Sequence, residues 1–385
     1  MKKHIFIFIS VIALLAIAYF CAKKDRNNKS NLTKNDIFLF NKSISFKKPV
    51  KRNDFFIFNL HAIKSKEVLI CTEARRGGDI ISYDLESQNF IGKTKNPTND
   101  KIQGILFIDK DEYYMVPMYK NQILKIKNNQ IDTILSITIK EIINHNLGTV
   151  VDFFPSKVCP LMHHDSVFYV GNLGNSVDNL LHQKFLFGFK VLKDSIVVNK
   201  AIGAFPKSII QKDSCLFPFD IVFSYTIHNN EIIISHPFSD SIFIKPLCQD
   251  TIQKIFAKSE NIKKLPGFIS KEKVSDEEFI NKRFISSPMY IGIYYDKYRN
   301  VYYRTAKLSA DYKEKDGLLN LNNFSFTIIV LDEKLNIIGE QVFKNSDYNP
   351  NDLIVSKKGI LLRKQNKFSE SVTFTLFNIN EKYLN

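Results

Sequence analysis

The sequence predicts an all-β protein, a six-bladed β-propeller that follows an N-terminal signal or anchor helix. Three observations lead to this fold class: an apolar segment at the start of the chain, a composition suited to strands, and a strand pattern that recurs. Of the 385 residues, 44% are hydrophobic, and the 33 Phe and 16 Tyr residues favour pleated, half-buried surfaces. The chain therefore has enough apolar side chains for a large packed core.

Residues 1–21 have the layout of an export signal. A basic start, Met1–His4, precedes sixteen uncharged residues, 5–20, and then Cys21. Two interpretations stay open. In the first, Cys21 is the acylated first residue of a mature lipoprotein; its place at the end of the apolar stretch favours this, and the bulky Phe20 before it counts against it. In the second, the segment is retained as a signal anchor, although a spanning helix needs about 20 residues.

Residues 22–35 are polar and charged, so they are predicted to form a flexible tether, and residues 36–385 to form the propeller. The expected location is the cell envelope, with the protein anchored to membrane lipid and facing the periplasm or the cell exterior. The net charge is +15, but the lysines are scattered along the chain without a long run. This distribution is typical of a solvated surface and predicts no nucleic-acid partner.

A unit of strands separated by polar turns recurs six times. Its instances start near Glu67, Glu112, Asp165, Glu231, Asn300 and Lys358. Six units of three or four strands match six blades, each of which buries its faces only against its neighbours, so the ring has to close. The strands near 37–46 and 55–60 are expected to complete the last blade. The rival fold is a pair of β-sandwich domains.

Two segments are predicted to be helical insertions between blades, Ile137–Asn146 and Lys273–Arg283. The second has Ser275 three residues before Glu278, the spacing of a capping box. Insertions of this kind often shape one rim of a propeller channel.

The stretch YYDKYRNVYYR, residues 294–304, resembles a segment of an uncharacterised Bacteroidetes-type family of lipoproteins that carry a domain of unknown function. The resemblance extends over residues from about 40 to 385. It implies a six-bladed propeller of the TolB/NHL type and an envelope location. It implies no activity, because the family has none that transfers to this chain.

The same stretch is predicted to form a hairpin with a turn at residues 296–300. Side chains alternate along a strand, so Tyr302 and Arg304 share one face. With Tyr295 they are candidates for an aromatic and guanidinium platform that binds a sugar or peptide. Asp296 and Arg304 are candidates for an ion pair across the hairpin. The alternative is a structural hairpin with its tyrosines packed between blades.

Two other segments contain candidate binding residues. Arg75 and Arg76 precede two glycines in a basic loop that is suited to anions, and His236 lies in a polar segment between strands. His163 and His164 are adjacent on a strand, so they point to opposite faces and cannot chelate together. We predict no metal site, no cofactor and no identifiable catalytic residue.

The sequence contains no GxSxG nucleophile elbow and no HExxH zinc motif. It therefore favours a non-enzymatic binding or scaffold module that uses one propeller face for a peptide, glycan or protein partner. The alternative is a hydrolase or lyase that acts on an extracytoplasmic substrate at the channel. An enzyme predicts a polar axial pocket in which a His or Lys meets carboxylates, whereas a binding module predicts an aromatic or basic rim.

Overall fold

The fold is described from a computed structural model of the chain. It covers residues 37–48, 55–63, 66–73, 77–109, 111–118, 120–138, 153–172, 184–192, 195–202, 214–215, 223–267, 269–270, 273, 276–310, 314–315, 318–319, 325–344, 348–365 and 370–384. Cys21, Arg75, Arg76 and Ser275 lie outside these ranges, as does the first predicted helix from residue 139 onward. Within the described residues, no helix has the length and apolar character needed to cross a bilayer.

The described strands form six four-stranded antiparallel sheets in chain order, which are the six blades of a propeller. The first three blades are built from β2 to β13. Blade 1 contains β2 (Phe55–Ile63), β3 (Lys66–Glu73), β4 (Ile80–Asp84) and β5 (Phe90–Thr94). Blade 2 contains β6 (Ile102–Phe107), β7 (Glu112–Pro117), β8 (Gln122–Lys127) and β9 (Gln130–Ser136). Blade 3 contains β10 (Met162–His164), β11 (Val167–Gly171), β12 (Leu186–Leu192) and β13 (Ser195–Ile202).

The other three blades are accompanied by two short strands, β14 (Ser214–Cys215) before blade 4 and β19 (Ile269–Ser270) after it, which pair with each other. Blade 4 contains β15 (Ser224–His228), β16 (Glu231–Ser235), β17 (Ser241–Pro246) and β18 (Gln253–Phe256). Blade 5 contains β20 (Met289–Asp296), β21 (Val301–Lys307), β24 (Phe326–Leu331) and β25 (Ile337–Phe343), with the pair β22 (Glu314–Lys315) and β23 (Leu318–Leu319) inserted. Blade 6 contains β26 (Tyr348–Ser356), β27 (Gly359–Lys364), β28 (Ser371–Ile379) and β1 (Phe38–Lys47).

The ring is closed by strand β1, which comes from the start of the domain and pairs antiparallel with β28 at the end of the chain. The prediction that the strand near residues 37–46 completes the last blade is confirmed. The same prediction for residues 55–60 is wrong, because they lie in β2, the first strand of blade 1. The six predicted units coincide with the six blades, but each predicted start lies at the second strand of its blade.

The hydrophobic core consists of six clusters, one between each pair of neighbouring blades. Strand β16 shows how one strand serves two clusters. Ile232 and Ile234 pack between blades 3 and 4, whereas Ile233 packs between blades 4 and 5. Because successive side chains point to opposite faces and both faces are covered, the central strands read as continuous apolar runs.

The two ends of the ring differ in the length of their connections. Short connections join the first and second strands of each blade, at what we call the turn end. The connections between blades start and finish at the opposite end, and the longest stretches of sequence between blades are residues 137–161, 203–223 and 257–288. The turn end is therefore a ring of tight hairpins around the channel axis.

One α-helix is present among the described residues, α1 (Glu277–Ser286), in the connection between blades 4 and 5. It overlaps the second predicted helix but begins later. Asp276 is its N-cap and accepts a hydrogen bond from the Phe279 backbone N–H at 2.9 Å. Asp276, not Ser275, therefore caps the helix, since its carboxylate satisfies one of the unpaired donors of the first turn. The chain ends with a short 3₁₀ helix, Glu381–Tyr383.

Candidate functional site

A cavity of about 340 Å³ lies on the channel axis at the turn end. The first strands of blades 1, 3, 4, 5 and 6 contribute to its wall, so the ring itself positions the site. Its lining is mostly aliphatic and aromatic, with two lysines and one glutamate. The lining residues are Leu60, Glu67, Lys157, Val158, Pro160, Met162, Tyr225, Thr226, Ile227, Ile293, Tyr294, Tyr295, Lys297, Tyr298, Leu353 and Val355.

Four tyrosines give this axial cavity its character, and the hydroxyls of three of them are bound to protein groups. Tyr225 donates to the Pro160 carbonyl at 2.5 Å, Tyr295 to Asn300 Oδ1 at 2.8 Å, and Tyr298 to Glu67 Oε1 at 2.9 Å. Burial, reinforced by Glu67, raises the pKa of Tyr298 to about 12. Burial likewise raises the pKa of the other tyrosines, so the cavity presents neutral rings.

The segment 153–161 forms the inner edge of blade 3, because the regular strand β10 is only three residues long. The segment lies close to blade 2, and a glycine in that blade makes the short distance possible. A Cβ added at Gly104 would lie 2.5 Å from Pro155 Cγ, so a larger residue there would push the segment away. The segment is held to blade 4 by Ser224, whose hydroxyl donates to the Val158 carbonyl at 2.7 Å.

An ion pair crosses the channel axis from this segment. Lys157 Nζ lies 2.8 Å from Asp352 Oδ1 in β26, the first strand of the blade opposite blade 3. Asp352 also accepts from Asn349 Nδ2 at 2.9 Å and lies 3.5 Å from Arg363 Nη1. Burial lowers the pKa of Lys157, and the Asp352 carboxylate opposes that shift. The pair is a largely buried crosslink between opposite blades.

A second cavity of about 200 Å³ adjoins the first and shares Leu60, Pro160 and Met162 with it. His61 and His163 line this smaller cavity. Burial lowers the pKa of His61 to about 4, so its imidazole is neutral at physiological pH. The ring of His163 packs on Phe168, with 4.6 Å between ring centroids.

The predicted hairpin is confirmed: Asp296 at the end of β20 is paired with Val301 at the start of β21. The predicted ion pair between Asp296 and Arg304 is wrong. Asp296 accepts from Arg299 Nη1 at 2.7 Å and from the Tyr303 hydroxyl at 2.6 Å. Asp296 and Tyr303 lie on one face of the hairpin, whereas Arg304 points to the other.

Arg304 is fully buried and binds backbone carbonyls of blade 4. Its guanidinium donates to Ala257 at 2.8 Å and to Ser239 at 2.5 Å, and it lies 3.4 Å from the ring centroid of Tyr290. Burial lowers the pKa of Arg304 to about 10. The residue fastens blade 5 to blade 4 and is not available at a surface.

The other candidate residues are placed as follows. Tyr295 lines the axial cavity and stacks on His228, with 3.7 Å between ring centroids. Tyr302 is only 3% exposed, and His236 is 2% exposed among aromatic rings, where burial lowers its pKa to about 3. The expected platform of Tyr295, Tyr302 and Arg304 is therefore not assembled on one surface. Ligand binding by these residues stays a prediction, and the geometry favours Tyr295.

The metal-ligating residue types form no cluster within the described ranges that could hold an ion. His164 Nε2 instead lies 2.9 Å from Asn230 Oδ1 and joins the turns of blades 3 and 4. The residues that the sequence reasoning missed are those of segment 153–161, above all Lys157. They follow a stretch without strand pattern, so no periodic signal marks them as part of the channel.

Comparison with known proteins agrees with this architecture. Residues 196–342 match the model of a family described as a domain of unknown function, DUF4221. The matched region runs from blade 3 to blade 5 and includes the 294–304 motif. The family resemblance inferred from the sequence is confirmed for the domain of unknown function and the six-bladed propeller. No curated protein matches the sequence.

Two solved structures are similar over most of the chain. A member of the DUF4221 family from Bacteroides vulgatus ATCC 8482 is 18% identical, with a TM-score of 0.75, and the match covers 89% of this chain and 98% of that one. A protein of Bacteroides fragilis NCTC 9343, described as a candidate exported protein, is 9% identical, with a TM-score of 0.53, and the match covers 91% and 98% of the two chains. At these identities the similarity shows the fold alone.

Proposed function

We propose that the protein is an exported, membrane-tethered binding module that holds a small ligand, or the end of a larger one, in the axial cavity. The observation that carries this proposal is the cavity itself. Its volume of about 340 Å³ falls within the ~300–1,000 Å³ range of small-molecule sites, and its wall combines apolar side chains with a few polar groups. The rings of Tyr294 and Tyr295, which are both partly exposed, offer apolar faces to a bound ring.

The envelope location rests on the N-terminal sequence. Residues 1–21 have the layout of an export signal, and Cys21 stands where a lipoprotein signal places its acylated residue. The similar Bacteroides fragilis protein, which is described as a candidate exported protein, supports the same location. Acylation with two or more chains at Cys21 would hold the propeller stably at the membrane through residues 22–35.

The alternative is a hydrolase or lyase in the same channel, and the contact between Lys157 and Asp352 at 2.8 Å is the observation in its favour. Asp352 is already shared among Lys157, Arg363 and Asn349. A carboxylate held by two cations is a weak base, and a lysine bound to it is a poor nucleophile. The geometry therefore favours binding over catalysis.

The test is a titration of the full propeller with benzyl alcohol, followed by tyrosine fluorescence. The chain has no Trp, so the signal reports tyrosines only. We expect saturable binding that is lost in Val355→Phe, because the larger side chain fills the cavity. Val197→Phe is the matched control, since Val197 is 38% exposed on the outer strand of blade 3. Equal binding by both variants would refute the axial site.

A further inference from the structure

The mouth of the axial cavity carries two charges of opposite sign. Lys297 stands in the turn after β20, and Glu67 is the second residue of β3, so both lie at the turn end of the ring. Lys157, the third charged residue of the wall, is bound to Asp352 at 2.8 Å, and its side chain is only 13% exposed. The cation of the inner wall is therefore already paired, whereas the mouth offers one cation and one anion to a ligand.

The anion at the mouth is oriented by two neutral donors. Glu67 Oε1 accepts a hydrogen bond from the Tyr298 hydroxyl at 2.9 Å and from the Lys357 backbone N–H at 2.8 Å. Neither donor neutralises the carboxylate, and no cationic side chain among the described residues forms an ion pair with it. Its second oxygen can accept a charge-assisted hydrogen bond from a ligand ammonium.

The cation at the mouth is the exposed side chain of Lys297. Its Nζ lies 5.2 Å from the ring centroid of Tyr298, and no carboxylate of the described ranges lies within ion-pair distance of it. The hydroxyl of the same ring is bound to Glu67, so the two opposite charges flank one tyrosine side chain. A single small ligand at the mouth can therefore contact both charges.

Electrostatic complementarity decides which ligand fits this mouth best. An anion is attracted by one of the two groups and repelled by the other, as is a cation, and an uncharged ligand uses neither group. We infer that the axial cavity selects an α-amino acid with an apolar side chain. Its ammonium pairs with Glu67 and its carboxylate with Lys297, while its side chain packs against Tyr294 and Tyr295. This inference rests on the proposed binding function and adds to it the ligand class and the two residues that recognise it.

Three probes with the same ring test the inference: L-phenylalanine, 3-phenylpropanoate, which lacks the ammonium, and phenethylamine, which lacks the carboxylate. Binding is followed by tyrosine fluorescence, excited where the probes do not absorb. We expect the wild-type protein to bind phenylalanine about two- to fivefold more tightly than either analogue, because each missing contact is a solvent-accessible ion pair. The preference should shrink as the salt concentration is raised, because salt screens such pairs.

Two variants assign the charges to their residues. In Lys297→Met, phenylalanine should bind only as tightly as phenethylamine. Glu67→Gln keeps an acceptor oxygen for Tyr298, and in this variant phenylalanine should bind only as tightly as 3-phenylpropanoate. Lys127→Met and Glu381→Gln are the matched controls, because both residues are exposed and neither lines the cavity.

The ligand class and the site can fail separately. The inference is overturned if phenylalanine binds no more tightly than its two analogues, or if its preference survives both Lys297→Met and Glu67→Gln. Either result would leave intact the loss of benzyl alcohol binding in Val355→Phe. Benzyl alcohol binding that is unchanged in Val355→Phe would instead count against the proposed function.

Discussion

The ion pair across the channel predicts an asymmetric response to substitution. Asp352→Asn leaves Lys157 buried without its carboxylate, and we expect a loss of about 3–5 kcal/mol in the free energy of unfolding. Lys157→Met leaves Asp352 with Arg363 at 3.5 Å and Asn349 at 2.9 Å, so the expected loss is smaller, about 1–2 kcal/mol. The double variant has no unpaired cation, because Met replaces Lys157. It should therefore be more stable than the Asp352→Asn variant.

Urea unfolding followed by circular dichroism and tyrosine fluorescence measures all three losses. The coupling energy from the double-mutant cycle should be about 2 kcal/mol, because the two side chains contact each other. The control is Lys66→Met. Lys66 is 72% exposed and lies 3.6 Å from Asp84, and a surface pair of this kind contributes roughly 0–1 kcal/mol. Equal and additive losses at 157 and 352 would refute the cross-axis pair.

Four further predictions follow from other parts of the molecule. Gly359→Ala should destabilise the fold by about 3 kcal/mol or more in urea unfolding, because its φ is +146° and the new Cβ would lie 2.1 Å from a backbone oxygen; Gly92→Ala, with open space, should be neutral or stabilising. Burial lowers the pKa of Lys307 to about 8, so the unfolded chain binds more protons above that pH; stability relative to Lys307→Met should rise from about pH 8 towards pH 9.5. Deletion of residues 1–36 should leave thermal unfolding cooperative, whereas deletion of residues 1–47 removes β1 and should abolish it. Mass spectrometry of the mature N-terminus from membranes should find a diacylated Cys21, and an intact Met1 would contradict the lipoprotein interpretation.

The blade pattern was predictable because the physics that forms a blade is local. Each central strand, such as β16 or β24, is covered on both faces and reads as an apolar run bounded by turn residues. The first strands were harder to place. Strand β10 is three residues long, and the segment 153–161 that precedes it is irregular. The repeating unit read from the sequence therefore began at the second strand of the blade. The closing role of β1 followed from the need to complete the ring.

The functional site was less predictable, because it depends on which residues of distant segments meet at the axis. Tyr295 was found through its motif, whereas Lys157, His61 and Tyr225 stand in sequence contexts that carry no signal. Arg304 shows the opposite error. An arginine beside tyrosines resembles a binding anchor. Because side chains alternate along the strand, however, Arg304 points into the interface between blades 4 and 5, where its guanidinium donates hydrogen bonds to backbone carbonyls.

The most direct test of the axial binding site is a crystal structure of the protein soaked with benzyl alcohol. The account predicts electron density for the ring of the probe beside Tyr294 and Tyr295. Density for the probe only at the outer strands, with both axial cavities holding solvent, would contradict it.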